Sequence, residues 1–64
     1  MPNDMGQRIR KARQARGLTQ VQAARRAGWT QSRWSRLETA GNATLDTILR
    51  AALALQVPVY RLME

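Results

Sequence analysis

The junction between two short helical blocks constrains this chain more than any other feature. One block runs from about Gln20 to Ala27 and the next from Gln31 to about Thr39, with Ala27-Gly28-Trp29-Thr30 at the junction. A link that short makes the helices cross steeply, and Gly28 is the residue able to take the positive φ it needs. Ala24, four residues before Gly28, suits a point where the two helices approach closely. Trp34 and Leu37, three apart on the second block, point to one inward side. Thr30 is placed to cap the second block. The rest of the chain has to pack around this corner.

The remaining segments read as helices too. β-Branched residues are sparse and never alternate over a strand length, so no strand is expected. Asp4 is a cap candidate for a first helix, with Met5, Ile9 and Ala12 on one face and Gly17 as its C-terminal residue. Leu18 then fits as a staple before Thr19, the cap of the Gln20–Ala27 block. Gly41-Asn42 is a stop signal. Thr44 caps a fourth helix, with Asp46 near its positive end. Leu45, Ile48, Leu49, Ala52, Leu53 and Leu55 are expected to form its wide buried stripe. Pro58 suits the first turn of a short fifth helix carrying Val59, Tyr60, Leu62 and Met63. The expected fold is all-α: one compact five-helix domain over residues 1–64, with helices 4 and 5 at about 44–63.

Size and charge narrow the function. A chain of 64 residues buries only about 60% of its unfolded surface. There is no Cys to staple it and no His, which excludes thiolate and zinc-finger chemistry and His-centred acid–base catalysis. With four acids and no room for a large pocket, no enzyme, metal site or cofactor is expected. The longest uncharged stretch, Ala51 to Tyr60, is too short to span a bilayer. The first residues hold no apolar run, so no signal peptide is expected and the expected location is cytoplasmic.

The net charge of +7 is unevenly placed, with nine basic residues against Asp4 up to Leu37 and a near-neutral remainder. Ten of the eleven basic residues are Arg, the side chain suited to phosphate and guanine. Nucleic acid is the favoured partner. A GC-rich genome would raise Arg, Ala and Leu together and is the alternative source of this composition.

The helical register resembles the Cro/phage-repressor/XRE family of helix-turn-helix DNA-binding domains. The matching residues are Leu18-Thr19-Gln20, Ala24, Gly28, Thr30-Gln31-Ser32 and Leu37-Glu38, then Leu45, Ile48, Leu49, Ala52, Leu53 and Val57. The likeness runs from Ile9 to Leu62 and implies a lambda-repressor-like fold, with the helix-turn-helix at about 19–39. The stretch from Gly41 to Thr47 is also similar to the corresponding region of HipB-like antitoxins. Several positions depart from the pattern: Trp29 and Trp34 stand where a branched aliphatic residue is usual. Ala12, Ala23 and Ala27 stand where Leu is frequent, so the indoles are expected to fill the volume the alanines vacate. The alternative for Trp29 is partial exposure and stacking on a partner.

The resemblance implies that Gln31, Ser32 and Arg36 read bases, with Arg33 beside them. The chemistry agrees, since Gln pairs with adenine, Arg with guanine and Ser with either. Arg33 holding a phosphate is the alternative. Phosphate contacts are expected from Gln20 and Arg10, and from Asn42 and Thr44 at the start of helix 4. Family members often pair Arg and Glu at the positions of Arg13 and Glu38, which implies a partly buried, structural ion pair. Arg25 and Arg26 suit either phosphate or solvent, and Arg50 and Arg61 are expected in solvent.

The implied function is a sequence-specific regulator, a repressor of its own or a neighbouring promoter, of bacterial or phage origin. It would bind a palindromic operator in double-stranded DNA as a homodimer that is weak in solution. Val57, Val59, Tyr60 and Met63 are the expected dimer contact, some of them completing the core instead. The alternative function is the antitoxin of a toxin–antitoxin pair, with a toxin as protein partner. A cationic membrane peptide is disfavoured by the many caps and by apolar residues spread over five short helices.

Overall fold

The computed structural model describes residues 4–40 and 43–63. Five helices follow one another: α1 (Asp4–Ala15), α2 (Gln20–Ala27), α3 (Gln31–Ala40), α4 (Leu45–Leu55) and α5 (Val59–Met63). No strand occurs among the described residues, and none of their helices is long and apolar enough to cross a membrane. α1 packs on α3 and α5, α2 packs on α3 and α4, and α4 packs on α5. The fold is the compact all-α architecture that the register implies. α1 begins at Asp4 itself, so that residue stands inside the helix rather than ahead of it.

Three helices end in the same way. A residue with positive φ follows each one: Gly17 (71°), Gly28 (76°) and Gln56 (58°). Its N–H and that of the next residue reach back to carbonyls of the last turn. The pairs are Gly17 to Gln14 and Leu18 to Arg13, Gly28 to Arg25 and Trp29 to Ala24, and Gln56 to Leu53 and Val57 to Ala52. This double closure satisfies carbonyls that a helix end leaves orphaned. The second residue of each pair, Leu18, Trp29 or Val57, packs against the core. A backbone reversal and an apolar anchor are therefore built from one short motif, used three times. The starts are capped by threonines. Thr19 accepts from the Gln22 N–H while the Gln22 side chain accepts from the Thr19 N–H, a closed capping box. Thr30 accepts from the Arg33 N–H, and Thr44 from the Thr47 N–H.

The core joins Ile9, Ala23, Ala24, Ala27, Trp34 and Leu37 to Ile48, Ala51, Ala52, Ala54, Leu55 and Leu62. Trp34 is fully buried, in the same cluster as the small alanines of α2. Trp29 is half-buried and tilted against Trp34, ring centroids 5.8 Å apart. Gly6 lets α1 lie directly on α3: a Cβ there would fall 2.3 Å from the Glu38 carbonyl oxygen.

One expectation about the chain's second half needs correction. Leu45, Leu49 and Leu53 are not part of a buried stripe; they are 60%, 40% and 75% exposed. Apolar residues cover most of the α4 circumference, and its Ile48, Ala51, Ala52, Ala54 and Leu55 side faces the core instead. Of the expected dimer residues, Val57 and Val59 pack against the core, while Tyr60 and Met63 are 63% and 55% exposed.

Candidate nucleic-acid interface

The inward side of α3 is fixed by one buried carboxylate. Glu38 Oε2 accepts from Arg13 Nε at 2.6 Å and from Trp34 Nε1 at 2.5 Å. Glu38 Oε1 accepts from Arg13 Nη2 at 3.2 Å and from Gln20 Nε2 at 3.0 Å. Arg13 also donates through Nη1 to the Leu18 carbonyl at 2.8 Å, in the turn between α1 and α2. One side chain thus ties together α1, α2 and α3. Burial by itself pushes the Glu38 carboxyl up. The bonds from Arg13, Gln20 and Trp34, with the Arg13 charge, outweigh that and hold it below the usual carboxylate range. The family likeness named Arg13 and Glu38; it did not reveal the donors from Gln20 and Trp34.

With Trp34, Leu37 and Glu38 buried, the opposite side of α3 is free. Gln31, Ser32, Arg33 and Arg36 are all exposed. Ser32 and Arg36, four apart, share one line along the helix, and Gln31 opens its first turn. Arg33 is different. At about 100° per residue it lies a quarter-turn round from Ser32. Its guanidinium carbon rests 4.3 Å from the centroid of the Trp29 ring. Its stacking on Trp29 turns it toward α4, where it lines one depression with Thr47 and Arg50 and another with Arg36.

The expected phosphate contacts fall into two groups. Arg10 and Gln20 come together beside Gln7 and Thr39, around a shallow depression that also touches Glu38. Gln20 is the first residue of α2 and half-buried. Its bond to Glu38 aims the amide and leaves a second N–H and the carbonyl oxygen for another partner. Thr44 is exposed, but its hydroxyl is already engaged as the α4 cap and lies 3.1 Å from the Thr47 hydroxyl. Asn42 lies outside the described residues. Sequence reasoning did not single out Gln7 or Thr39, whose only signal was helical spacing from Arg10 and Ser35.

Some of the basic excess belongs to the fold. Arg16 donates to the Leu55 carbonyl at 2.8 Å and to the Gln56 carbonyl at 2.5 Å. A cation at that point also complements the negative end of α4. Arg8 reaches the Leu62 carbonyl at 3.5 Å. Arg10, Arg33 and Arg36 make no side-chain hydrogen bond among the described residues, whereas Arg13 and Arg16 are tied down. No group of three or more metal-ligating side chains occurs among the described residues.

Comparison with known proteins agrees with this geometry. The family described as "Helix-turn-helix domain" matches residues 4–62. Among solved structures, the chain is similar to the restriction-modification controller protein C.AhdI from Aeromonas hydrophila. The identity is 34% and the TM-score 0.86, over 94% of this chain and 92% of that one. No curated protein matches.

Proposed function

The chain belongs to the helix-turn-helix domain family, of the Cro/XRE DNA-binding type, and from that premise we propose a transcriptional regulator that reads double-stranded DNA through α3. One observation carries the reading: α3 is locked on its inward side by Trp34, Leu37 and Glu38 while Gln31, Ser32 and Arg36 stand exposed. A helix held that firmly can enter the major groove without reorganising, and these side chains match base edges. Gln31 pairs with adenine and Arg36 with guanine, and Ser32 accepts either. Arg10 and Gln20 hold the phosphate backbone, and Thr44 at the start of α4 adds a second contact.

A single domain of this size covers a small footprint, roughly 600–1,000 Å². Two copies on half-sites about one helical turn apart give useful affinity. The exposed apolar side chains of Tyr60 and Met63 on α5, and of Leu45, Leu49 and Leu53 on α4, support a homodimer through one of these helices. The domain then acts most simply as a repressor of its own or a neighbouring promoter, by occluding polymerase. Likeness to a controller protein favours a regulator, and the antitoxin alternative draws no support from the matched proteins.

Selection of bound duplexes from a random pool, followed by footprinting, tests this. Enrichment of a palindrome with half-sites one turn apart is expected. Absence of enrichment, with binding no stronger than to random duplex, would overturn the reading.

A further inference from the structure

A relay of packed side chains runs from the buried carboxylate to the surface of α3. Glu38 accepts from the Trp34 indole N–H. Trp34, fully buried, carries Trp29 tilted on it at 5.8 Å. Trp29 carries the Arg33 guanidinium at 4.3 Å. The backbone under Trp29 is fixed as well, since its N–H is bonded to the Ala24 carbonyl at 2.8 Å. Arg33 starts from a fixed point too, its own N–H held by the Thr30 hydroxyl at 3.2 Å. Both ends of a long, flexible cation are thus restrained: the backbone by a cap and the guanidinium by an aromatic face.

The stack places the charge on the flank of α3. Trp29 and Arg33 line one depression with Thr47 and Arg50 of α4, and Asp46 and the exposed Leu49 and Leu53 complete it. Arg36 borders a neighbouring depression with Trp29, Arg33 and Thr47, so the stacked guanidinium is turned toward α4, beside Arg36 and opposite Gln31 around the helix. A guanidinium there meets the sugar–phosphate wall when α3 lies in the groove, and it does so without searching rotamers.

We propose that Trp29 is a positioning residue that presets Arg33 as a phosphate clamp, so that Arg33 contributes affinity and not base choice. This rests on the DNA-binding reading above. A guanidinium stacked on an indole keeps its in-plane N–H donors free, so one group can be held by the ring and still bond a phosphate oxygen. Trp29 acts here through Arg33, and it also packs on the core, so truncation to Ala would confound the two roles. Leu keeps apolar volume without an aromatic face, and Phe keeps a weaker face.

The test is a double-mutant cycle on duplexes selected by the wild-type protein and on random-sequence duplex, with affinity read across salt concentrations. Arg33→Ala is expected to weaken both duplexes by the same factor and to lower the salt slope by about one ion. Trp29→Leu is expected to weaken both by about two- to fivefold, the factor of an exposed cation–π contact, with the salt slope retained. Trp29→Phe recovers part of that loss. In the Arg33→Ala background, Trp29→Leu has no further effect on affinity. Thermal melting of each variant, which a purely structural Trp29 would move in both backgrounds alike, separates folding from positioning. The proposal is overturned if Arg33→Ala changes preference at one base position. It is also overturned if the Trp29→Leu loss persists undiminished without Arg33. Failure of the wild-type protein to select any duplex overturns the DNA-binding reading itself and is distinct from both results.

Discussion

Replacing Glu38 by Ala should unfold the domain or bring it close to unfolding. Four N–H groups converge on the Glu38 carboxylate: two from Arg13, one from Gln20 and one from Trp34. Arg13 and Glu38 are 8% and 7% exposed, so water cannot replace the lost acceptor without opening the core. Removing one partner of a buried ion pair costs about 3–5 kcal/mol. A 64-residue chain at roughly 0.05–0.15 kcal/mol per residue holds about 3–10 kcal/mol in total. The loss is therefore comparable with the whole. In a domain of this size each kcal/mol moves the midpoint by about 4–8 °C, so a fall of at least about 12 °C is expected. Glu38→Gln is the sharper version. On the Oε2 side the new NH2 faces the donors of Arg13 Nε and Trp34 Nε1; on the Oε1 side it still faces Arg13 Nη2 even when Gln20 turns its amide to accept. A loss of at least about 2 kcal/mol follows from stranding buried donors. Adding Arg13→Met removes two of the four donors. The amide can then accept from Trp34 and donate to Gln20, so the double variant should be more stable than Glu38→Gln alone. Urea unfolding followed by circular dichroism measures all three. If Glu38→Ala loses less than about 1 kcal/mol, or if Arg13→Met adds fully to Glu38→Gln, the carboxylate does not tie the three helices as described.

Three further outcomes follow from the same geometry. Gly6→Ala should destabilise by about 2–3 kcal/mol in urea unfolding despite Ala's better helix propensity, because its Cβ would meet the Glu38 carbonyl oxygen at 2.3 Å and force α1 off α3. Gln56→Gly should stabilise by about 1 kcal/mol, since Gln56 holds φ 58° and the closing bonds need only its backbone; a loss in the same assay would refute this. For pH, the Glu38 carboxyl is held below its unfolded value of about 4.3. Its stabilisation is thus fully present above that value and lost as pH falls through the lower folded one, so melting temperature should hold near neutrality and drop below about pH 4. That acid limb should be shallower in Glu38→Gln if the variant is folded enough to titrate.

Helix number and order were legible because most starts and stops carry local chemistry. Thr19, Thr30 and Thr44 before helical blocks, and Gly17 and Gly28 after them, mark boundaries without tertiary information. Gln56 was not legible as a helix end, since a left-handed Gln shows only when its carbonyl partners are seen. The burial of α4 was misread for a physical reason: its apolar residues surround the helix, and period alone cannot choose the face that meets α2. Gly6 gave no signal because a close approach to α3 is a property of two segments at once. The exposure of Gln31, Ser32 and Arg36 was readable once Trp34 and Leu37 set the inward side of α3. The bonds of Arg16 to Leu55 and Gln56, and of Gln20 to Glu38, join residues far apart in sequence. They divide the cations between fold and partner in a way that composition cannot.

In the proposed complex the exposed side of α3 reads bases while its neighbours hold the backbone. Selecting duplexes from one random pool with wild-type protein, Arg36→Ala and Gln20→Ala, all shown folded by melting, measures it directly. Arg36→Ala should lose preference at one position of each half-site and keep the others. Gln20→Ala should select the wild-type sequence with weaker affinity throughout. Uniform weakening by Arg36→Ala, with every base preference intact, would contradict the assignment of α3 as the reading helix.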